Sequence, residues 1–171
     1  MRIAIIGNSG SGKSTLARDL ALTHDLCALD LDTVAWEPDQ IAVPRDKHVA
    51  LAQVRGFCSR TPRWVVEGCY ADLIQAALPY ASLLLFLDPG TRACVANCYS
   101  RPWEPHKFKS LQEQNRHFMP LIDWVRGYYQ RVGDASLRQH QALYDAFDGH
   151  RHRLTGRATA QMVGEFCLQP G

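Results

Sequence analysis

The sequence lacks several features that would place it in a common protein class. No apolar run approaches the ~20 residues that a membrane-spanning helix needs. Lysine and arginine number 19 against 17 acidic residues, which gives a formal net charge of +2, and no long basic cluster occurs. The composition therefore gives no argument for a nucleic-acid surface, and small anionic ligands are the better expectation. There is also no internal repeat or low-complexity segment.

Cysteine is present six times, but no two cysteines form a CxxC pair. Cys94 and Cys98 are four positions apart, which is a helical spacing rather than a known metal-binding pattern. The first seven residues are predicted to form a strand, so we expect no cleavable signal sequence. We therefore predict a cytoplasmic protein whose cysteines are reduced and act as small apolar side chains. With 171 residues, of which 46% are hydrophobic, the chain fits one α/β domain.

A complete phosphate-loop pattern, GxxxxGK(S/T), directly follows an apolar run over residues 3–6. The stretch consists of Gly7, Asn8, Ser9, Gly10, Ser11, Gly12, Lys13, Ser14 and Thr15. Glycines allow the backbone N–H groups to curl around phosphates, and Lys13 adds a positive charge for the β- and γ-phosphates. Ser14 is expected to ligate Mg²⁺. Helical spacing of apolar residues after Lys13 predicts a helix whose N-terminus faces the anion. The stretch therefore predicts binding of ATP and Mg²⁺.

Carboxylates follow two further predicted strands. The run over residues 26–29 predicts a strand that ends in Asp30 and Asp32, which share a face only if the strand continues through Leu31. Residues 63–68 predict another strand, with Glu67 near its carboxyl end, where a carboxylate that holds Mg²⁺ or its water shell belongs. A solvated strand-end acid is the alternative for Glu67. In an open parallel sheet, all three acids would lie at the ligand crevice.

Two segments broken by proline interrupt the regular pattern. The first precedes a helix predicted over about 46–60, and we expect it to cap an acceptor site within an insertion at about 33–62. The second gathers cations after a helix predicted over 91–100, and it is the candidate lid, at about 101–116. Arg101 is the lid residue expected to contact phosphate. Its alternative role is to cap the preceding helix.

The remaining pattern completes an alternation of strands and helices. Residues 82–87 predict a strand buried on both faces, and residues 151–155 an edge strand. An apolar stripe from Phe118 to Val132 predicts one long helix, and further helices are predicted over about 137–147 and 159–167.

On these residues, the chain resembles the adenylate-kinase-like group of small P-loop kinases. Within that group it looks most like bacterial proteins described as DNA topology modulation proteins or shikimate-kinase-like ATPases. The resemblance covers most of the chain and rests on the phosphate loop and four segments. These are Leu31-Asp32 with Trp36, Val43-Pro44-Arg45, Trp64-Val65-Val66-Glu67-Gly68-Cys69-Tyr70, and Arg101-Pro102-Trp103-Glu104-Pro105-His106-Lys107.

The resemblance implies a three-layer α/β P-loop NTPase fold, similar to nucleoside monophosphate kinases, with a five-stranded parallel sheet in the order 2-3-1-4-5. It also implies that Asp32 and Arg45 lie in the acceptor region and Arg101 in the lid. Adenylate kinases usually carry Pro-Gly early in the loop, where this chain has Asn8-Ser9. Shikimate kinases carry a glycine triplet after the third strand, where Gly68 stands alone. These departures argue against AMP and shikimate as the acceptor.

The leading hypothesis is phosphoryl transfer from ATP, with Mg²⁺, to a small hydroxyl or phosphate acceptor. Lys13 and lid arginines would neutralise the migrating group, and Asp32, or its rival Asp30, would orient or deprotonate the acceptor. One alternative is a nucleotide-dependent switch that acts on a macromolecular partner, and another is a slow NTPase that a partner completes. The sequence is compatible with a monomer or a homodimer.

Overall fold

The computed structural model describes residues 1–37, 43–102 and 110–168. The strands are β1 (Arg2–Gly7), β2 (Cys27–Asp30), β3 (Trp64–Gly68), β4 (Leu83–Leu87) and β5 (His150–Leu154). The helices are α1 (Lys13–His24), α2 (Asp32–Ala35), α3 (Lys47–Arg60), α4 (Ala71–Ala77), α5 (Thr91–Tyr99), α6 (Leu111–Arg126), α7 (Leu137–Ala146) and α8 (Ala160–Leu168). Short 3₁₀ helices cover Leu78–Tyr80 and Gly127–Tyr129.

The strands form one parallel sheet in the order β2-β3-β1-β4-β5, which confirms the predicted topology. Because β1 is central, the loop that follows it emerges between β3 and β4. Glu67 of β3 pairs in register with Ile5 of β1 on one side and with Asp30 of β2 on the other. The phosphate loop and the acids that end β2 and β3 therefore share one edge of the sheet.

Helices cover both faces of the sheet. Ile3 and Ile5 of β1 face the side that also buries Leu20 of α1 and Val163 of α8. Ala4 and Ile6 alternate to the other side, where side chains of α3, α4 and α7 pack. All five residues of β4 are buried, as expected for an interior strand between two helical layers. Because helices cover both faces of the sheet, the site lies at an edge of the sheet.

Two predicted element boundaries were wrong. β2 ends at Asp30, and Asp32 is the first residue of α2, so the two acids do not alternate along one strand. The reason is local, because the Asp30 carboxylate accepts a hydrogen bond of 2.8 Å from the Asp32 N–H and turns the chain. α6 ends at Arg126, and Val132, which was predicted to belong to the apolar stripe, is 85% exposed.

The later part of the predicted lid is helical where it is described. Ser110 accepts a hydrogen bond from the Glu113 N–H and caps α6, so residues 111–116 form its first turns. Residues 103–109 of the predicted lid lie outside the described residues. None of the helices in the described ranges is long and apolar enough to cross a bilayer.

The cysteine side chains that the structure describes are free thiols. Burial raises the pKa of Cys58 and of Cys94 to about 11, so both thiols stay protonated at neutral pH. Both side chains pack in apolar clusters, as the sequence predicted. They therefore contribute to packing rather than to thiolate chemistry.

A buried histidine ties α7 to two segments near the site. His140 is fully buried, with Nε2 2.9 Å from the Cys69 carbonyl oxygen and Nδ1 2.7 Å from the Tyr128 hydroxyl. A carbonyl oxygen only accepts, so Nε2 carries the proton and donates it, while Nδ1 accepts from the tyrosine. Burial lowers the pKa of His140 to about 4, which keeps the ring neutral at physiological pH.

We predict that His140 makes the fold sensitive to mild acid. His140 binds a proton near pH 6.5 in the unfolded chain but only near pH 4 in the folded chain. The contribution of the neutral ring to the free energy of unfolding is therefore complete above pH 6.5 and disappears as the pH falls to about 4. The loss amounts to about 3 kcal/mol at most. Urea unfolding across this range should show a steeper decline for the native protein than for His140→Gln. Parallel curves for the two proteins would contradict the assignment.

Candidate active site

The phosphate loop turns tightly between β1 and α1. Gly10 and Gly12 have φ angles of +77° and +95°, which residues with a Cβ rarely adopt. The Lys13 side chain folds back across the loop, and Nζ donates a hydrogen bond of 3.0 Å to the Asn8 carbonyl oxygen. Lys13 is only 7% exposed, so its positive charge lies within the loop rather than in bulk solvent. The loop therefore has the shape and charge of an anion cradle.

Neighbouring helices hold the loop from outside. The Asn8 side-chain amide donates to the Val125 carbonyl at the end of α6, at 3.0 Å. The Asn97 amide of α5 donates to the Gly10 carbonyl at 2.8 Å. Arg101 lies just after α5, and its guanidinium donates to the Ser9 hydroxyl at 3.2 Å. The predicted lid arginine thus reaches the phosphate loop itself, and Asn97 is a supporting residue that the sequence analysis missed.

Glu67 faces the loop from β3. It is 5% exposed, and the Ser14 hydroxyl lies near enough to favour its charged form. Burial raises the pKa of Glu67, the Lys13 charge opposes that rise, and the nearby carboxylates of Asp30 and Asp32 add to it. Glu67 is therefore buried, and the alternative that it is a solvated acid at the end of a strand is wrong.

This group of side chains suits a hard divalent cation. Ser14 and Glu67 provide a hydroxyl and a carboxylate oxygen, which are ligands that Mg²⁺ accepts alongside substrate phosphates and water. Within the described ranges, no three histidine, cysteine or acidic side chains converge into a metal site made of protein alone. The donor set fits a cation shared with a bound phosphate rather than a cation held by protein side chains alone.

Asp32 is held by two aromatic residues. The Tyr70 hydroxyl donates to the Asp32 carboxylate at 2.8 Å, and the Trp36 indole N–H donates to that hydroxyl, also at 2.8 Å. Burial, with the Cys69 and Asp32 charges adding to it, raises the pKa of Tyr70 well above its usual range, so the phenol stays protonated. Trp36 and Tyr70 belong to segments that carry the family resemblance, but no functional role was predicted for either residue from the sequence.

Asp30 and Arg45 occupy different surroundings. Asp30 ends β2, accepts from the Asp32 N–H, and lies in register with Glu67. Arg45 lies between α2 and α3, where its guanidinium is 3.7 Å from the Glu37 carboxylate and 2.5 Å from the Gln53 side-chain oxygen. The structure therefore groups Asp30 with Asp32 and Glu67, and places Arg45 beside Glu37 and Gln53.

Arg131 is a basic residue of the site that the sequence analysis missed. Its guanidinium stacks 3.4 Å from the centre of the Trp124 ring and donates to the Asn8 side-chain oxygen at 3.3 Å. Burial lowers the pKa of Arg131, although the group stays charged. No local pattern marks this arginine, because its position depends on the turn after α6.

Two solved structures resemble this chain in fold. One is an unliganded sugar kinase from Janibacter sp. HTCC2649, with 16% identity and a TM-score of 0.54 over 97% of this chain and 91% of that chain. The other is shikimate kinase from Aquifex aeolicus vf5, with 14% identity and a TM-score of 0.51 over 98% and 94% of the two chains. No family model and no curated protein sequence matches the chain. The chain has a P-loop kinase-like fold, and at these identities the likeness extends to the fold alone.

We predict that Glu67→Gln raises the Mg²⁺ concentration needed for ATP turnover by roughly tenfold or more. The amide keeps the shape but loses the charge that attracts the ion. Burial disfavours this charge in the folded protein, so thermal stability without metal should be equal or higher. A magnesium titration and a melting curve measure the two effects. Glu165→Gln, an exposed change on α8, is the control. Equal titrations for both variants would contradict the metal role.

We predict that Arg101→Ala lowers ATP turnover by roughly a hundredfold while the melting temperature stays nearly unchanged. The side chain reaches the loop through Ser9 and contributes little to the core. Arg92→Ala, an exposed change on α5, the helix that precedes Arg101, should leave turnover unaltered. If Arg101 only caps α5, the melting temperature falls slightly and turnover does not change.

Proposed function

We propose that this chain transfers the γ-phosphoryl group of ATP, with Mg²⁺, to a hydroxyl group of a small acceptor. The observation that carries the proposal is the position of the buried Glu67 carboxylate, which pairs in register with Ile5 of β1 just before the phosphate loop and has Lys13 and Ser14 near it. The Ser14 hydroxyl and the Glu67 carboxylate are oxygen ligands of the kind that a magnesium-bound triphosphate requires. The kinase-like fold supports the same class of reaction.

The reaction exchanges one phosphorus–oxygen bond for another. The acceptor hydroxyl oxygen forms a bond to the γ-phosphorus as the bond from that phosphorus to the β,γ-bridging oxygen breaks, and ADP leaves. Asp32 takes the hydroxyl proton, with Asp30 as its rival for this role. The Tyr70 hydroxyl bond keeps the Asp32 carboxylate oriented.

Cations around the loop stabilise the charge on the migrating group. Lys13 belongs to the loop, Arg101 donates to it at Ser9, and Arg131 donates to it at Asn8. Ser14 and Glu67 would hold Mg²⁺, which when bound neutralises charge on the phosphate oxygens.

The proposal keeps the predicted organisation of the chain. Residues 1–171 form one kinase-like domain, in which an insertion at about 33–62 provides the acceptor site and a segment at about 101–116 provides the lid. Arg45 lies on the acceptor side. The rival function is a nucleotide-dependent switch for a macromolecular partner, and in that case no small acceptor would stimulate ATP consumption.

We predict that one acceptor in a metabolite panel stimulates ATP consumption, and that Lys13→Ala reduces this turnover by roughly a hundredfold or more. Lys13 stabilises transferred charge rather than the apolar core, so circular dichroism should remain native. Arg18→Ala removes an exposed cation from the same helix and serves as the control. Undiminished turnover in folded Lys13→Ala, or no stimulation by any acceptor, would contradict the proposal.

A further inference from the structure

A cavity of about 280 Å³ opens next to the carboxylates, among α2, α3 and α4. Its polar and aromatic lining consists of Trp36, Arg45, Lys47, Tyr70, Asp72 and Asp134. A larger cavity of about 570 Å³ lies near Met1 and His24, at the opposite end of the sheet, and none of the site residues lines it. Of these two cavities, the smaller is lined by Tyr70, which contacts a carboxylate of the site.

A hydrogen bond connects this cavity to the site carboxylates. Tyr70 lines the cavity and donates to Asp32. The Asp32 carboxylate lies close enough to Glu67 to raise the pKa of Glu67. A ligand in the cavity that contacts Tyr70 would therefore lie near the carboxylate proposed to take the acceptor proton.

The two cations of the cavity are already paired with acids. Lys47 Nζ is 2.8 Å from the Asp72 carboxylate and 4.0 Å from that of Asp134. The Arg45 guanidinium is 3.7 Å from the Glu37 carboxylate. An anionic ligand would have to displace these carboxylates and then face their repulsion.

The aromatic residues give the cavity flat apolar walls. The rings of Trp36 and Tyr70 meet edge to face, with centroids 6.4 Å apart. Their polar atoms are engaged with each other and with Asp32. Their faces suit the C–H surface of a small ring or chain, and the Asp72 and Asp134 carboxylates can accept hydrogen bonds from hydroxyl groups.

From these contacts, we propose that the cavity binds the phosphoryl acceptor, and that this acceptor is an uncharged, hydroxyl-rich compound such as a polyol or a sugar. The inference rests on the proposed function and goes beyond it by naming the chemical class of the acceptor. A carboxylated or phosphorylated analogue of the same size is rejected, because each cation of the cavity is neutralised by an acid of the same chain.

Matched pairs of compounds that differ in charge test this proposal. The pairs are glycerol with glycerate, glucose with glucuronate, and adenosine with AMP, each titrated by calorimetry into protein with Mg²⁺ and a non-hydrolysable ATP analogue. At least one neutral member should bind about tenfold or more tightly than its anionic partner. Tighter binding of an anionic member, or binding of no neutral member up to its solubility limit, would overturn the proposal.

The pairing of Lys47 provides a second test. Asp72→Asn leaves Lys47 without its closest partner, so the preference for the neutral member should shrink by about tenfold. Lys47→Gln leaves the acids in place and should enlarge the preference. Asp19→Asn, an exposed change on α1, is the control. An unchanged preference in both cavity variants would overturn the proposal.

Binding of the ATP analogue separates this proposal from the function on which it rests. Each variant is first titrated with the analogue and Mg²⁺ alone. If the native protein fails to bind the analogue, the proposed function fails. If it binds the analogue normally but prefers anionic acceptors, only the assignment of the acceptor class fails.

Discussion

The close contact between the phosphate loop and its neighbours is the constraint on which the site depends. A Cβ at Gly7 would overlap the carbonyl oxygen of Leu87 in β4, and a Cβ at Gly10 would overlap that of Cys94 in α5. The loop backbone can therefore approach β4 and α5 only because these positions are glycine. Lys13 and Ser14 follow directly, so this backbone contact also fixes where the cation and the hydroxyl lie.

Charge at the site is unbalanced in a way that favours a divalent cation. The carboxylates of Asp30 and Asp32 lie near that of Glu67 at one edge of the sheet, and Lys13 opposes their charge. Burial of the Glu67 charge, to which repulsion from Asp30 and Asp32 adds, raises the free energy of the folded chain, as the raised pKa of Glu67 reflects. Binding of Mg²⁺ beside Glu67 would offset both effects, so the buried charge that destabilises the fold would also favour the metal.

The strands and the phosphate loop were predicted from short-range patterns, whereas the sheet order was implied by the family resemblance. Each strand is a short apolar run, and the loop residues are consecutive. The positions of Asp32 and Arg131 follow from neither pattern. Asp32 was predicted at the end of a strand, but a local bond from its N–H to Asp30 starts a helix. Arg131 reaches Asn8 across 123 positions of sequence, through a turn that periodicity does not reveal. The bond between Tyr70 and Asp32 likewise requires α2 to pack near the end of β3.

The hydrogen bonds of His140 have a directional consequence for the two segments that they join. The Cys69 carbonyl oxygen, next to Tyr70, accepts the Nε2 proton, and the Tyr128 hydroxyl, near Arg131, donates its proton to Nδ1. The ring cannot move its proton to the other nitrogen without placing a lone pair against the carbonyl oxygen. The imidazole is therefore held in a single tautomer, and with both nitrogens engaged it links the end of β3 to the turn after α6.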